Sequence, residues 1–161
     1  MRCVARSLTH LRDGWVIDAS LVLSILLDEA EGVHASGAEL LTSVNPRGVV
    51  ATHFDLECAS GLLQAHRRGR IELDDAFEAL LLVMDLPFER CQSPAADVDA
   101  LRLAYQHGIS AYDAAYVALS EARGLPLVTA DVRLVRALAG SAHDVRLLDD
   151  LESPMAGSTG G

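Results

Sequence analysis

The sequence predicts an α/β protein with a central parallel sheet, and three observations carry that expectation. Compact apolar runs (Trp15-Val16-Ile17, Gly48-Val49-Val50-Ala51, Leu127-Val128-Thr129) alternate with longer segments of helical period, the pattern that places helices on the faces of a parallel sheet. Apolar residues make up 50% of the chain but aromatics only 4%, so the core must be mostly Leu, Val, Ile and Ala. With 161 residues, the chain has the size of one domain and can bury a substantial core.

Each element follows in order. Trp15-Val16-Ile17 reads as a strand ending at Asp18, followed by a helix carrying Val22, Ile25 and Leu26 up to Asp28. A second helix is expected from Val33 to Ser43, stopped by Asn45-Pro46. After the Gly48–Ala51 strand, Thr52 opens a helix running to Arg68-Gly69, with Leu56, Ala59 and Leu63 on one face and Thr52 to Asp55 as its capping box. Phe77, Leu80, Leu81 and Met84 form the apolar stripe of the next helix, read as core or as an interface between copies. Pro87 ends that helix, and Phe88 to Cys91 is a strand. Pro94 to Tyr105 is a helix with Val98, Leu101 and Tyr105 inward, closed by Gly108. A further helix spans Ser110 to Arg123, with Tyr112, Ala115, Tyr116 and Leu119 on one side and Gly124 as its stop. Leu127 to Thr129 is a strand, Asp131 to Ala139 a helix, and Val145 to Leu148 the last strand. Residues 1–13 are expected to be an N-terminal extension, 14–152 the domain, and 153–161 a disordered tail.

Charge excludes several function classes. Thirteen basic residues against twenty-three acidic give −10, so the chain has no broad electrostatic attraction to nucleic acid or to an anionic membrane. Every basic residue is Arg, which removes mechanisms that need a lysine. Cys3, Cys58 and Cys91 are too scattered for a zinc site or a disulfide framework and suit a reducing compartment. No apolar run reaches membrane-spanning length, and residues 1–14 lack the apolar core of a secretory signal. A cytoplasmic protein with no membrane partner is expected.

In an open parallel sheet, sites gather at the carboxyl ends of the strands, near a switch in strand order. Four carboxylates occupy such positions: Asp18 after the first strand, Glu57 early in the helix after Val49-Val50, Asp113 in the first turn of the helix opened by Ser110, and Asp131 after Thr129. Taken singly, each has a structural explanation. Asp18 and Asp131 suit helix N-caps, Asp113 completes a capping box with Ser110, and Glu57 suits the start of a helix. Taken together, four ionised carboxylates converging to about 4 Å would repel by roughly 4 kcal/mol per pair at an effective dielectric of 20, which only protons or a cation can relieve. Oxygen-only donors favour Mg²⁺ or Mn²⁺ over zinc, and such ions serve phosphodiester hydrolysis.

The runs Val16-Ile17-Asp18-Ala19-Ser20, Val49 to Glu57 and Ser110 to Asp131 resemble a PIN-domain ribonuclease, more narrowly the VapC toxins of bacterial toxin–antitoxin pairs. The resemblance covers roughly residues 14 to 150, and its most specific part is Ser110 to Asp131. It implies a PIN-like α/β/α sandwich around a parallel sheet, and a homodimer. It further implies RNA cleavage with Mg²⁺ or Mn²⁺ held by Asp18, Glu57, Asp113 and Asp131, with Ser20 and Thr129 orienting the acidic cluster. Silencing by a cognate VapB-type antitoxin, whose tail places an Arg near the acidic site, is also implied.

Arg133 and Arg136, after Asp131, and Arg67 and Arg68, at the end of the Thr52 helix, are candidate RNA or antitoxin contacts. Of the six histidines only His53 falls near the acidic cluster. A haloacid-dehalogenase-type phosphotransferase is discarded, because it needs a second Asp where Ser20 stands and a Lys that is missing. The alternative function is a non-catalytic α/β protein-binding module whose carboxylates only cap helices.

Overall fold

The computed structural model describes residues 14–28, 32–33, 48–91 and 94–147. The N-terminal extension, the tail and most of the helix expected at 33–43 lie outside them. The described chain runs β1 (Trp15–Ile17), α1 (Ala19–Leu26), β2 (Leu27–Asp28), β3 (Gly32–Val33), β4 (Gly48–Ala51), α2 (Phe54–Arg67), α3 (Leu73–Asp85), β5 (Glu89–Cys91), α4 (Pro94–His107), α5 (Ala111–Arg123), β6 (Leu127–Thr129), α6 (Val132–Ala137) and β7 (Val145–Leu147).

Five strands form one parallel sheet in the order β5-β4-β1-β6-β7. Trp15, Val16 and Ile17 of β1 are fully buried, as a central parallel strand covered on both faces requires. The chain winds outward on one side of β1 through β4 and β5, then crosses to the other side for β6 and β7. The switch in strand order therefore falls between β1 and β6. Helices α1, α2 and α3 pack in sequence on one another, while α4 and α5 pack together and α5 lies on β1, β4 and β6. The result is the expected α/β/α sandwich. No described helix is long and apolar enough to cross a membrane.

Several expectations are corrected. Leu27-Asp28 does not extend α1; it pairs antiparallel with Gly32-Val33, so Val33 starts no helix. Helix α2 begins at Phe54, and Thr52 to Asp55 form no capping box. The reason is a competing partner. Asp55 is taken in a bidentate pair by Arg90 of β5, at 2.8 and 2.9 Å, and the same guanidinium reaches the carbonyls of Val83 and Met84 at the end of α3. Arg90 thus fastens α2, α3 and β5 together.

The inward faces of four helices also differ, wholly or in part, from those read from sequence. On α4, Val98, Leu101 and Tyr105 are exposed, and Ala100 and Leu103 are buried. That side of α4 joins the core where the helix packs with α5, so the packing partner decides the face and apolar bulk alone does not. On α2 the buried set is Phe54, Cys58, Leu62 and Ala65, leaving Leu56 and Leu63 outward; on α3, Phe77, Leu81 and Met84 are outward as well. On α5, Tyr116 and Leu119 are buried but Tyr112 is exposed. Gly124 ends α5 in the left-handed region at φ 61°, as expected of a glycine stop.

The corrected face of α4 is checked by paired truncations. Leu103→Ala should cost about 2–4 kcal/mol and lower Tm by roughly 5–15 °C. Leu101→Ala should stay within about 0.5 kcal/mol of the parent. The reverse order in thermal denaturation would restore the face read from sequence.

Candidate active site

Parallel pairing places the ends of β1 and β6 side by side, with Ile17 opposite Val128, so Asp18 and Thr129 leave the sheet next to each other. Asp18 is an N-cap after all. Its Oδ1 accepts the Leu21 N–H at 3.1 Å, and its backbone is extended as a cap requires. It is also almost fully buried, and its two oxygens are each claimed by a hydroxyl. Ser20 Oγ donates to Oδ1 at 2.5 Å and Thr129 Oγ1 donates to Oδ2 at 2.5 Å. Those hydroxyls accept in turn, Ser20 from the Ala130 N–H at 3.0 Å and Thr129 from the Asp131 N–H at 2.9 Å. Their contact with each other, at 3.1 Å, lacks a free proton because both protons go to Asp18.

Asp131 caps α6, accepting the Arg133 N–H at 2.7 Å. Asp113 sits in the first turn of α5, where Ser110 caps its N–H at 3.0 Å and donates a hydroxyl to its carboxylate at 2.7 Å. Only half of the expected box forms: Ser110 caps the Asp113 N–H, but the Asp113 carboxylate takes the Ser110 hydroxyl and does not reach back to the Ser110 N–H. Glu57 projects from the first turn of α2. One oxygen, Oε2, accepts the Tyr116 hydroxyl at 2.6 Å, and His53 Nε2 lies 3.4 Å from that same oxygen.

All four carboxylates line one open cleft of about 400 Å³, together with Ser20, Tyr116, Arg133 and the α2 residues Ser60, Gly61 and Gln64. This cleft lies at the carboxyl end of the sheet, at the β1/β6 switch. Thr129 stands behind it, fully buried. Arg133 is at the mouth, its side chain largely in solvent and 3.5 Å from Asp131. Arg136, Arg67 and Arg68 are exposed and are not part of the cleft wall.

Electrostatics follow from this geometry. Burial pushes the Asp18 carboxyl up, against the opposing pull of its hydroxyl and N–H donors. Burial also raises Glu57, and the Asp18 and Asp113 charges add to the rise while the Tyr116 hydroxyl opposes it. Burial holds His53 below the ordinary histidine range, and its ring packs edge-on against Tyr112 and Tyr116. Burial, then the Glu57 carboxylate, drives the Tyr116 phenol far above its usual range, so it stays a donor.

Among the described residues no three His, Cys, Asp or Glu side chains cluster tightly enough to encage one ion by themselves. The donor set nonetheless fits a hard divalent cation. It is all oxygen, it is partly desolvated at Asp18 and Glu57, and the charges of Asp18 and Asp113 disfavour ionised Glu57. Mg²⁺ needs only one or two carboxylates, with water and phosphate completing its shell.

Sequence reasoning missed the role of Tyr116, which it placed among inward apolar residues. The available signal was the hydroxyl itself, since a buried Tyr needs a partner for it. It also missed Ser60, Gly61 and Gln64, which follow Glu57 at helical spacing along the cleft wall.

Residues 15–139 match the PIN domain family. The chain is 36% identical over 119 residues to Ribonuclease VapC9 of Mycobacterium tuberculosis, spanning 74% of this chain and 87% of the relative. Ribonuclease VapC12 of the same species is 30% identical over 129 residues, spanning 80% and 95%. In fold, the chain is similar to the crystal structure of PAE2754 from Pyrobaculum aerophilum, with TM-score 0.61 and 24% identity over 86% of this chain and 93% of that one. It is also similar to a chain of a toxin-antitoxin complex from Klebsiella pneumoniae, with TM-score 0.53 and 17% identity over 83% and 97%.

The buried Asp18 makes a pH prediction. Its folded-state pKa lies above its unfolded value, so the native state holds the extra proton, and its contribution to stability falls as pH rises from about 4. Asp18→Asn should therefore raise Tm at pH 7, with the gain shrinking as pH is lowered toward 4. A Tm difference that is constant with pH, measured without divalent ions, would contradict this.

Proposed function

The chain belongs to the PIN domain family, and from that premise we propose that it is a divalent-cation-dependent endoribonuclease toxin of the VapC kind. One observation carries the reading: four carboxylates from α1, α2, α5 and α6 converge on one cleft at the switch in strand order, with Asp18 buried there. A non-catalytic binding module has no use for a desolvated carboxylate whose burial works against its charge.

Asp18, Asp113 and Asp131 are the principal ligands in this reading, with Glu57 a further ligand or the group that orients the attacking water. Ser20 and Thr129 hold Asp18 in one orientation, each donating its hydroxyl proton to one carboxylate oxygen. When bound, Mg²⁺ or Mn²⁺ supplies Lewis acidity, screens the scissile phosphate and acidifies water. Asp18 and its neighbours keep the cleft anionic until the cation arrives, so RNA phosphate is repelled from the site in the cation's absence. Arg133, exposed at the mouth, offers a phosphate contact; Arg136, Arg67 and Arg68 are peripheral contacts for RNA or for an antitoxin.

The names of the relatives and the toxin-antitoxin neighbour support a VapB-type antitoxin as the resting partner. An anionic cleft suits a basic side chain from such a partner, which would neutralise the charge that the cation otherwise neutralises. The exposed Leu56, Leu63, Phe77, Leu81 and Met84 on the packed pair α2 and α3 support a homodimer.

Purified protein, freed of antitoxin, should cut total cellular RNA into discrete fragments only with Mg²⁺ or Mn²⁺ present. Asp113→Asn should lower the rate ~100-fold or more while its circular dichroism and Tm stay near those of the parent. Cleavage that persists in chelator, or in Asp113→Asn at the parent's rate, would overturn the proposal.

A further inference from the structure

Glu57 differs from the other three carboxylates in how it is held. Asp18, Asp113 and Asp131 accept hydrogen bonds from groups at the start of the helix they belong to. Glu57 accepts none of that kind. Its anchor is the Tyr116 hydroxyl, donated across the cleft from α5 to Oε2 at 2.6 Å. The anchoring side chain is rigid: Tyr116 is 1% exposed, and the His53 ring lies edge-on against it at 4.9 Å. Glu57, by contrast, has three rotatable bonds and a half-buried carboxylate that the charges of Asp18 and Asp113 disfavour.

We propose that Tyr116 is a positioning residue for the acidic site: its hydroxyl fixes the Glu57 carboxylate against the repulsion of its neighbours, and cation affinity depends on that hydrogen bond. This rests on the cation-dependent nuclease reading above and adds to it a residue that acts through Glu57. The chemistry of the donor matters. An Arg at this position would hold Glu57 equally well, but would bring a permanent positive charge into the cleft and compete with a divalent ion. A phenol donates one strong hydrogen bond to a carboxylate and adds no charge. The site thereby keeps its full negative charge and loses only the freedom of the side chain that carries it. His53 packs on the same pair from the side, its ring edge-on to Tyr116 and its Nε2 3.4 Å from the Glu57 oxygen that Tyr116 holds.

Tyr116→Phe is the direct test, because it keeps the ring and its packing and removes only the hydroxyl. Mn²⁺ binding to the RNA-free protein, measured by calorimetry, should weaken about 10-fold. The Mn²⁺ concentration needed for half-maximal RNA cleavage should rise correspondingly, with the rate largely recovered at saturating Mn²⁺. A double-mutant cycle separates positioning from a general structural effect. Glu57→Gln should also weaken Mn²⁺ binding, and adding Tyr116→Phe to it should cause no further loss. Wild-type binding that Glu57→Gln weakens and Tyr116→Phe leaves intact overturns this inference alone. So does an equal loss from Tyr116→Phe in the parent and in the Glu57→Gln background. Absence of Mn²⁺ binding by the wild type overturns the nuclease reading and this inference together.

Discussion

The site depends on one buried carboxylate being worth its burial. Asp18 has nowhere to put a negative charge except against three donors: the Leu21 N–H and the hydroxyls of Ser20 and Thr129. Each hydroxyl can serve because a backbone N–H beyond it, from Ala130 or Asp131, fills its accepting side. The arrangement is directional throughout, running from the turn after β6 inward to Asp18. It also fixes strand register. A one-residue slip of β6 along β1 would turn Thr129 to the opposite face of the sheet and strip Asp18 of a donor. The pairing of Ile17 with Val128 and the chemistry of the cleft are thus a single constraint.

The distribution of arginine extends the same logic to the whole surface. The guanidinium of Arg90 is committed to Asp55, that of Arg102 to Asp99, that of Arg123 to Glu89, and that of Arg146 to Asp144. These acids all lie away from the cleft. Exposed pairs of this kind add little stability, but they decide where charge is cancelled and where it is left. In a chain of net charge −10, local pairing elsewhere leaves the cleft carboxylates, among the described residues, with one nearby guanidinium, that of Arg133 in solvent. In the proposed function, an acidic protein acts on a polyanion once a cation reverses the local sign.

What the sequence disclosed was set by local rules and by the sheet. Trp15-Val16-Ile17 and Leu127-Val128-Thr129 are strands because they are uniformly apolar, short and bounded, and the carboxylates that follow them fall where a doubly wound sheet gathers its site. All four acidic candidates, and Arg133, were found by that reasoning and share the cleft. Helix faces were legible only in part. Val98, Leu101 and Tyr105 have helical spacing and more apolar bulk than Ala100 and Leu103, yet it is Ala100 and Leu103 that join the core. Asp55 reads as a cap but is taken by Arg90 of β5, and Tyr116 is core as expected but also gives its hydroxyl to Glu57 of α2. Both contacts escape the sequence for one reason: the partner is a side chain 35 or 59 residues away, supplied by the tertiary fold.

Sequence separation within the Asp18 network has a further consequence for biosynthesis. β1 is made first but is the central strand, and its neighbour β6 is made after β4 and β5; the hydroxyl that completes Asp18 is 111 residues downstream of it. A nascent chain carrying Asp18 and Glu57 outside the ribosome still lacks Thr129 and Asp131, and the pairing that joins them closes a long loop slowly. A polypeptide that stops short of β6 has the acidic residues of a nuclease without its geometry. Translation must therefore pass β6 and Asp131 before the complete cleft can exist, so a copy that stops earlier lacks the assembled site.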